Sequence, residues 1–267
     1  MAGTLVIIGG HEDREGDKVV LKDIVERARG RRVVVVTTAS EEPDDLFATY
    51  RKAFTALGVK DVVQLHSTAR EDNLDEAAAE AVKRCGVVFF TGGDQLRLVS
   101  QVGDTPVFQA IHKHFHDGGV VAGTSAGASV MSDTMLVSGE SGASPRGGDA
   151  IQMAPGFSLI EGVVVDQHFA ERGRMGRLLA AVAQNPKSLG VGLDENTAIV
   201  VERARFTVIG AGGVYAVNGA TVTFSTVADV SNDQPFSIDD VTLHVLAPGD
   251  RFDLKRRRPI HPGRTEE

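Results

Sequence analysis

Short runs of apolar, mostly β-branched residues punctuate the first 125 positions at regular intervals. They fall in Thr4–Ile8, Val33–Val36 continued by Thr37, Asp61–Leu65, Val87–Phe90 and Gly119–Ala122. None alternates with polar residues, so each predicts a strand covered on both faces, as parallel sheets require. Between them the apolar positions switch to a helical period. Val20, Ile24, Val25 and Ala28 share one face of a segment over 18–29, and further helices are predicted near 44–57, 75–83, 95–101 and 106–116. Strand and helix in alternation predict right-handed crossovers and an α/β fold with a doubly wound, mainly parallel sheet. Ligands of such sheets bind beyond the carboxyl ends of the strands.

The pattern changes after about residue 195. Short strand-like runs at 197–201, 206–209, 214–217 and 221–224 predict an antiparallel extension of the same domain, with Asn218-Gly219 as a hairpin turn. A single catalytic domain over 1–250 is expected, with 251–267 a charged, solvated tail around Lys255-Arg256-Arg257-Arg258.

Composition narrows the class. The 36 acidic residues outnumber the 28 basic ones, giving a net charge of −8, which disfavours a nucleic-acid partner. No apolar run approaches the roughly 20 residues that span a bilayer. A lone cysteine, Cys85, excludes an internal disulfide. With an N-terminus that enters a strand directly, this leads to the expectation of a cytoplasmic protein with no membrane association. Glycine is abundant, 30 of 267 residues, and its clusters mark the candidate chemistry.

The strongest cluster is Gly123-Thr124-Ser125-Ala126-Gly127, a G-x-S-x-G sequence between a predicted strand and a predicted helix. That context predicts a sharp elbow presenting Ser125 as a nucleophile. A serine needs a base, and the base an orienting group. Of eight histidines, His168 follows the apolar run Val163–Val165, and Asp194 and Glu195 end another run. Ser125, His168 and an acid can thus meet at strand ends. His112 and His116 have i, i+4 spacing but lack a carboxylate set, so a solvated helix face is expected and no metal. His66 and His244 read as structural, and His11 as lining the same end of the sheet. Gly92-Gly93 offers, with the amide of Ala126, a place for oxyanion donors at Gly93 and Ala126. Arg172, Arg174 and Arg177 suit carboxylates, while Asp166 and Glu171 either neutralise them or meet a cationic substrate group. Gly210–Gly213 lies between strand-like runs and is not expected to bind a nucleotide.

Gly9-Gly10 with Glu12-Asp13, Thr91–Gln95, Gly123–Asp133, Ser141–Arg146, Met153–Gly156, Asp166–Leu178 and Gly190–Ala198 together resemble the cyanophycinases. Those enzymes sit in a serine peptidase family that also contains peptidase E, the Asp-specific dipeptidase. The resemblance implies a glutamine-amidotransferase-like fold, a homodimer, no cofactor, and a Ser–His–Glu triad at Ser125, His168 and Glu195. It also implies a substrate pocket lined by Gln95, Asp166, Gln167, Arg172, Arg174 and Arg177. The substrate would be cyanophycin or a β-aspartyl peptide. Cyanophycin is polyaspartate with arginine on each β-carboxyl, and its product is the β-aspartyl-arginine dipeptide. His11 departs from the family, where many relatives carry a small residue. Alternatives are a peptidase E-like dipeptidase, a non-catalytic binding domain, and an α/β-hydrolase using Asp194 and His261. A cysteine-type amidotransferase is disfavoured by Ser125 itself.

Overall fold

The computed structural model describes residues 3–139, 144–147, 151–231 and 234–261. Its central sheet has nine strands. Five are parallel: β1 (Thr4–Ile8), β2 (Val33–Val36), β3 (Val62–Leu65), β4 (Val87–Phe90) and β5 (Val120–Thr124), in the order β3-β2-β4-β5-β1. Beyond β1 the sheet continues antiparallel with β10 (Thr197–Glu202), β11 (Arg205–Gly210), β16 (Arg251–Asp253) and β17 (Arg258–Ile260).

Alternation along the apolar strands divides their side chains between two cores. Val6, Ile8, Val33, Val35, Val87 and Phe89 pack under α1 (Val19–Ala28) and α2 (Pro43–Ala56), through Leu21, Ile24 and Phe54. Leu5, Ile7, Val34, Val36, Val88 and Phe90 face the other way. They meet α3 (Glu76–Lys83), α4 (Gln95–Val102) and α5 (Pro106–His116), through Val82, Leu98 and Ile111. The predicted helices therefore form with ends shifted by no more than a residue or so. Thr105 and Pro106 explain the sharp start of α5: the Thr105 hydroxyl accepts the Phe108 amide, and proline occupies the first helical position.

A second sheet covers the α5 side. It has four strands in the order β15-β12-β9-β8. They are β8 (Val163–Asp166) and β9 (Leu189–Leu193), which run parallel, and β12 (Val214–Asn218) and β15 (Thr242–Leu246), which run antiparallel. Val163, Val165, Val191 and Leu193 join the core of the central sheet. Val164 and Val217 face α7 (Met175–Gln184) on the outside. The short α6 (Ala126–Ser129) follows β5. Two small antiparallel pairs, β6 (Thr134–Gly139) with β7 (Ile151–Pro155) and β13 (Phe224–Ser225) with β14 (Ile238–Asp239), complete the strands among the described residues.

The C-terminal third is antiparallel, as its pattern predicts, and divides between the two sheets. β10 and β11 extend the central sheet, but β12 and β15 belong to the second one. Asn218-Gly219 is not a hairpin turn. A type I′ turn needs positive φ at both central residues, and neither residue has it. Instead the Asn218 carboxamide oxygen accepts the Ala220 amide at 3.1 Å and an Arg257 guanidinium N–H at 3.0 Å, and β12 pairs with the distant β15. The stretch from 251 to 260, expected to be solvated tail, supplies β16 and β17, with Phe252 wholly buried and stacked on Phe206. Residues 262–267 lie outside the described residues.

Candidate active site

Register brings the site together. Ile8 of β1 is level with Thr124 of β5 and with Ala198 of β10. The chain leaving β1, the chain leaving β5 and the chain entering β10 therefore share one edge of the sheet. His168 comes from the second sheet, two residues past the end of β8, and its amide donates to the Gly9 carbonyl at 2.7 Å. The two sheets are stitched at the point where their polar residues meet.

Ser125 has φ 55° and ψ −114°, a sparsely populated conformation for a residue with a side chain. The turn is held from both sides. A Cβ on Gly123 would stand 2.3 Å from the Gly127 carbonyl oxygen, and one on Gly127 would stand 2.5 Å from that of Phe90. The elbow predicted from the motif is thus enforced by close backbone packing. Ser125 Oγ lies 3.0 Å from His168 Nε2, and His168 Nδ1 lies 2.6 Å from Glu195 Oε1. Gly10 makes room for the imidazole, because a Cβ there would come within 2.2 Å of its Cε1.

Asp194, the neighbouring acid, is turned elsewhere. Its two oxygens accept the amides of Ala170 at 3.0 Å and Gly213 at 2.9 Å. Both acids follow the end of β9, in the turn before β10, and that turn sends Glu195 to the imidazole and Asp194 to these loops. The Gly210–Gly213 string is therefore a structural turn around Asp194. His261 follows the edge strand β17, and the imidazole on Ser125 is that of His168, so the Asp194–His261 arrangement is not assembled.

The electrostatics follow from the geometry. Burial pushes the His168 pKa below the ordinary histidine value. The Glu195 hydrogen bond opposes this, and the charges of Arg172 and His11 add to it. For Glu195, burial works to raise the pKa, but hydrogen bonds from His168 and His11 outweigh it and the net shift is downward. A neutral imidazole beside an ionised carboxylate is the state in which His168 can accept a proton from Ser125.

The cleft above these residues has a volume of about 590 Å³. Gln95, Gln167, Arg172, Arg174 and Arg177 line it, together with Gly93, His11, Arg14 and Tyr50. Asp166 does not. It is wholly buried beneath the cleft, where Arg177 Nε donates to Oδ2 at 2.7 Å and Arg177 Nη2 to Oδ1, with Arg174 Nη1 at 3.5 Å. Arg174 also donates to the Gln167 backbone carbonyl and side chain. Its Nε is buried without a hydrogen-bond partner among the described residues, and burial, with Arg177 close by, brings its pKa down to about 10. Gln95 Nε2 is committed to the Leu136 and Val137 carbonyls, at 3.2 and 2.8 Å. Glu171 accepts the Glu195 amide at 3.1 Å. Ser141–Ala143, part of one matching motif, lie outside the described residues.

Three residues were not singled out from the sequence. Glu12 is buried and accepts hydrogen bonds from the Tyr50 hydroxyl and, at 2.5 Å, from the Thr124 hydroxyl next to Ser125. Arg14 lies over the Tyr50 ring, 5.5 Å from its centroid. Only the short motif Glu12-Asp13 hinted at this wall. The histidines at 112 and 116 share a helix face with ring centroids 6.2 Å apart. The one cluster of potential metal ligands among the described residues is His11, His168 and Glu195, whose atoms are engaged with one another.

The family model for peptidase family S51 matches residues 5–209. This chain belongs to peptidase family S51. It is a hydrolase of the serine peptidase class, and the match spans Ser125, His168 and Glu195. Among curated proteins, a cyanophycinase of Geminocystis herdmanii is 36% identical over 97% of this chain and 97% of its own length. One from Trichormus variabilis is 38% identical over 95% of this chain and 86% of its own length. Among solved structures, a peptidase from an acI-B1 actinobacterium superposes with a TM-score of 0.71 at 23% identity, covering 95% of this chain and 97% of that one. A putative peptidase E from Listeria monocytogenes gives 0.52 at 14% identity, covering 79% and 99%. The last two bear on the fold of this family member alone.

Proposed function

We propose that this S51 peptidase degrades cyanophycin, releasing β-aspartyl-arginine dipeptides through an acyl-enzyme on Ser125. His168 Nε2 takes the proton as Ser125 Oγ attacks the carbonyl carbon of a backbone aspartyl bond, and passes it to the departing amine. Water then attacks the ester, gives its proton to His168, and the acid leaves as Ser125 is restored. Glu195 holds the imidazole in the tautomer that needs Nε2 free. The amides of Gly93 and Ala126 are the donors assigned to the oxyanion. Ala126 opens α6, where an amide has no intrahelical partner, and Gly92 packs against Ser125, its position for a Cβ 3.4 Å from that of the serine.

One observation carries the substrate reading. The cleft is lined by four arginines, at 14, 172, 174 and 177, and by no aspartate or glutamate among the described residues, in a chain whose net charge is −8. Cyanophycin exposes the α-carboxylate of each arginyl branch, and a cationic cleft selects that group. The guanidinium of the branch is then left to solvent, because Asp166 and Glu171 are engaged elsewhere. The 35–38% identity to named cyanophycinases supports the same substrate.

The test is digestion of purified cyanophycin, with products identified by mass, beside α-linked polyaspartate and casein. Release of β-aspartyl-arginine from cyanophycin alone is expected. Equal cleavage of casein overturns the substrate assignment, and a preference for free dipeptides with N-terminal aspartate favours peptidase E-like specificity.

A further inference from the structure

The Glu195 carboxylate has two imidazole partners. Oε1 meets His168 Nδ1, while Oε2 meets His11 Nδ1 at 2.9 Å. His11 also stands edge-on to His168, with ring centroids 4.9 Å apart and planes at 78°. We infer that His11 is a positioning residue for the Ser125–His168–Glu195 triad, clamping Glu195 from its outer oxygen. This rests on the triad reading above.

The backbone places His11 deliberately. It has φ 45°, an uncommon conformation outside glycine and asparagine. The loop carrying it is sewn to the loop carrying Glu195: the Asn196 amide donates to the Gly10 carbonyl at 2.8 Å, and the Asp13 amide to the Asn196 side chain at 2.8 Å. The two facing side chains are thus carried on one braced unit. Glu195 needs such a brace. Its side chain remains about a quarter exposed, whereas that of His168 is almost wholly buried. A glutamate at a partly exposed turn has several rotamers, and a freed Oε2 would exchange its partner for water. Holding Oε2 fixes the plane of the carboxylate and so aims Oε1 at Nδ1. An isolated, solvent-screened contact of this kind contributes little to stability, so the expected consequence is in rate. Misplacement of an orienting group by a fraction of an ångström slows catalysis while leaving the fold intact.

The experiment follows labelling of Ser125 by a serine-directed fluorophosphonate, whose rate reports nucleophile activation whatever the natural substrate. His11→Ala is expected to label roughly tenfold more slowly at saturating probe, with half-saturation and melting temperature unchanged. His11→Asn keeps an N–H donor near the position of Nδ1 and tolerates the same φ, so it is expected to recover most of the rate. In a Glu195→Gln background, His11→Ala is expected to add no further loss, because the pair acts as a unit. Wild-type labelling in His11→Ala overturns the inference, as does a loss in His11→Asn equal to that in His11→Ala. Independent, multiplicative losses in the double variant overturn it too. Failure of the triad reading is separate: it shows as undiminished labelling in Ser125→Ala.

Discussion

The two walls of the cleft are built by different means. On the nucleophile side, position is set by main chain: the strained elbow at Ser125, the glycines that admit Phe90 and His168, and the hydrogen bond from the His168 amide to Gly9. On the opposite side, position is set by charged side chains: Asp166 buried at the centre, Arg177 and Arg174 around it, Gln167 tied to Arg174. Backbone constraints fix a few atoms with little energy at stake in any one side chain. A buried ion network places several groups at once, and removing one member exposes the rest to a desolvation penalty. Substitutions on the first wall should therefore change rate without stability, and on the second stability along with binding.

The sharpest contrast is expected at Ser125. Ser125→Ala deletes the proposed nucleophile yet leaves the glycine-enforced turn, so turnover should fall by at least roughly 10³-fold with an unchanged melting temperature. Rapid turnover in that variant would remove Ser125 from the mechanism and with it the first half of the comparison.

Next come the adjacent acids. Glu195→Gln should lower kcat by roughly 10²–10⁴-fold, whereas Asp194→Asn, which keeps one acceptor oxygen and turns an NH2 group toward the Ala170 or the Gly213 amide, should act mainly on loop stability. The pH profile adds a sign. As the proposed base His168 has to be neutral, and burial lowers its pKa below the ordinary histidine value, so kcat/KM should rise through an acid limb below that value. The Glu195 hydrogen bond opposes the shift; replacing it with glutamine should move the limb to still lower pH. A limb that moves upward in Glu195→Gln, or a severe loss of rate in Asp194→Asn with Glu195→Gln mild, would reassign the acid.

Arg177→Ala probes the other wall. Asp166 is fully buried, and losing its bidentate partner strands a carboxylate. Breaking such pairs costs about 3–5 kcal/mol, so denaturant midpoints should drop clearly and the labelling rate of the remaining folded protein should stay within a small factor of wild type. A fully stable Arg177→Ala would mean that the network only dresses the cleft.

These walls were unequally legible in the sequence. The parallel strands could be read because uninterrupted apolar runs such as Val33–Val36 serve a sheet buried on both faces, and the elbow because small residues at fixed spacing have one backbone use. Sheet membership was not readable. Leu189–Leu193 and Thr197–Glu202 are both apolar runs, and only long-range register sends one to each sheet. Nor were the polar commitments. Asp166 reads as a substrate contact, but it is buried beneath the cleft on Arg177, and Gln95 lines the cleft with its Nε2 held by β6 carbonyls. Glu12 and Tyr50 are 38 residues apart, and nothing local links them.

The smallest effect should come from Arg14, which belongs to the nucleophile wall by chain position but carries the charge of the other. It stacks on Tyr50, whose hydroxyl is held by Glu12, itself bonded to Thr124. The guanidinium thus stands on a rigid ring and is half-buried at the cleft surface, free to meet a carboxylate with little rotamer entropy left to lose. A partly exposed contact of this kind is screened, so Arg14→Ala should raise KM for cyanophycin by about tenfold or less. kcat and melting temperature should hold, because Glu12 and Tyr50 keep their own bond. Raised salt should weaken wild-type binding and narrow the gap to the variant. An effect on kcat instead would mean that Arg14 acts through Glu12 and Thr124 on the nucleophile, and that the two walls are mechanically joined at this corner.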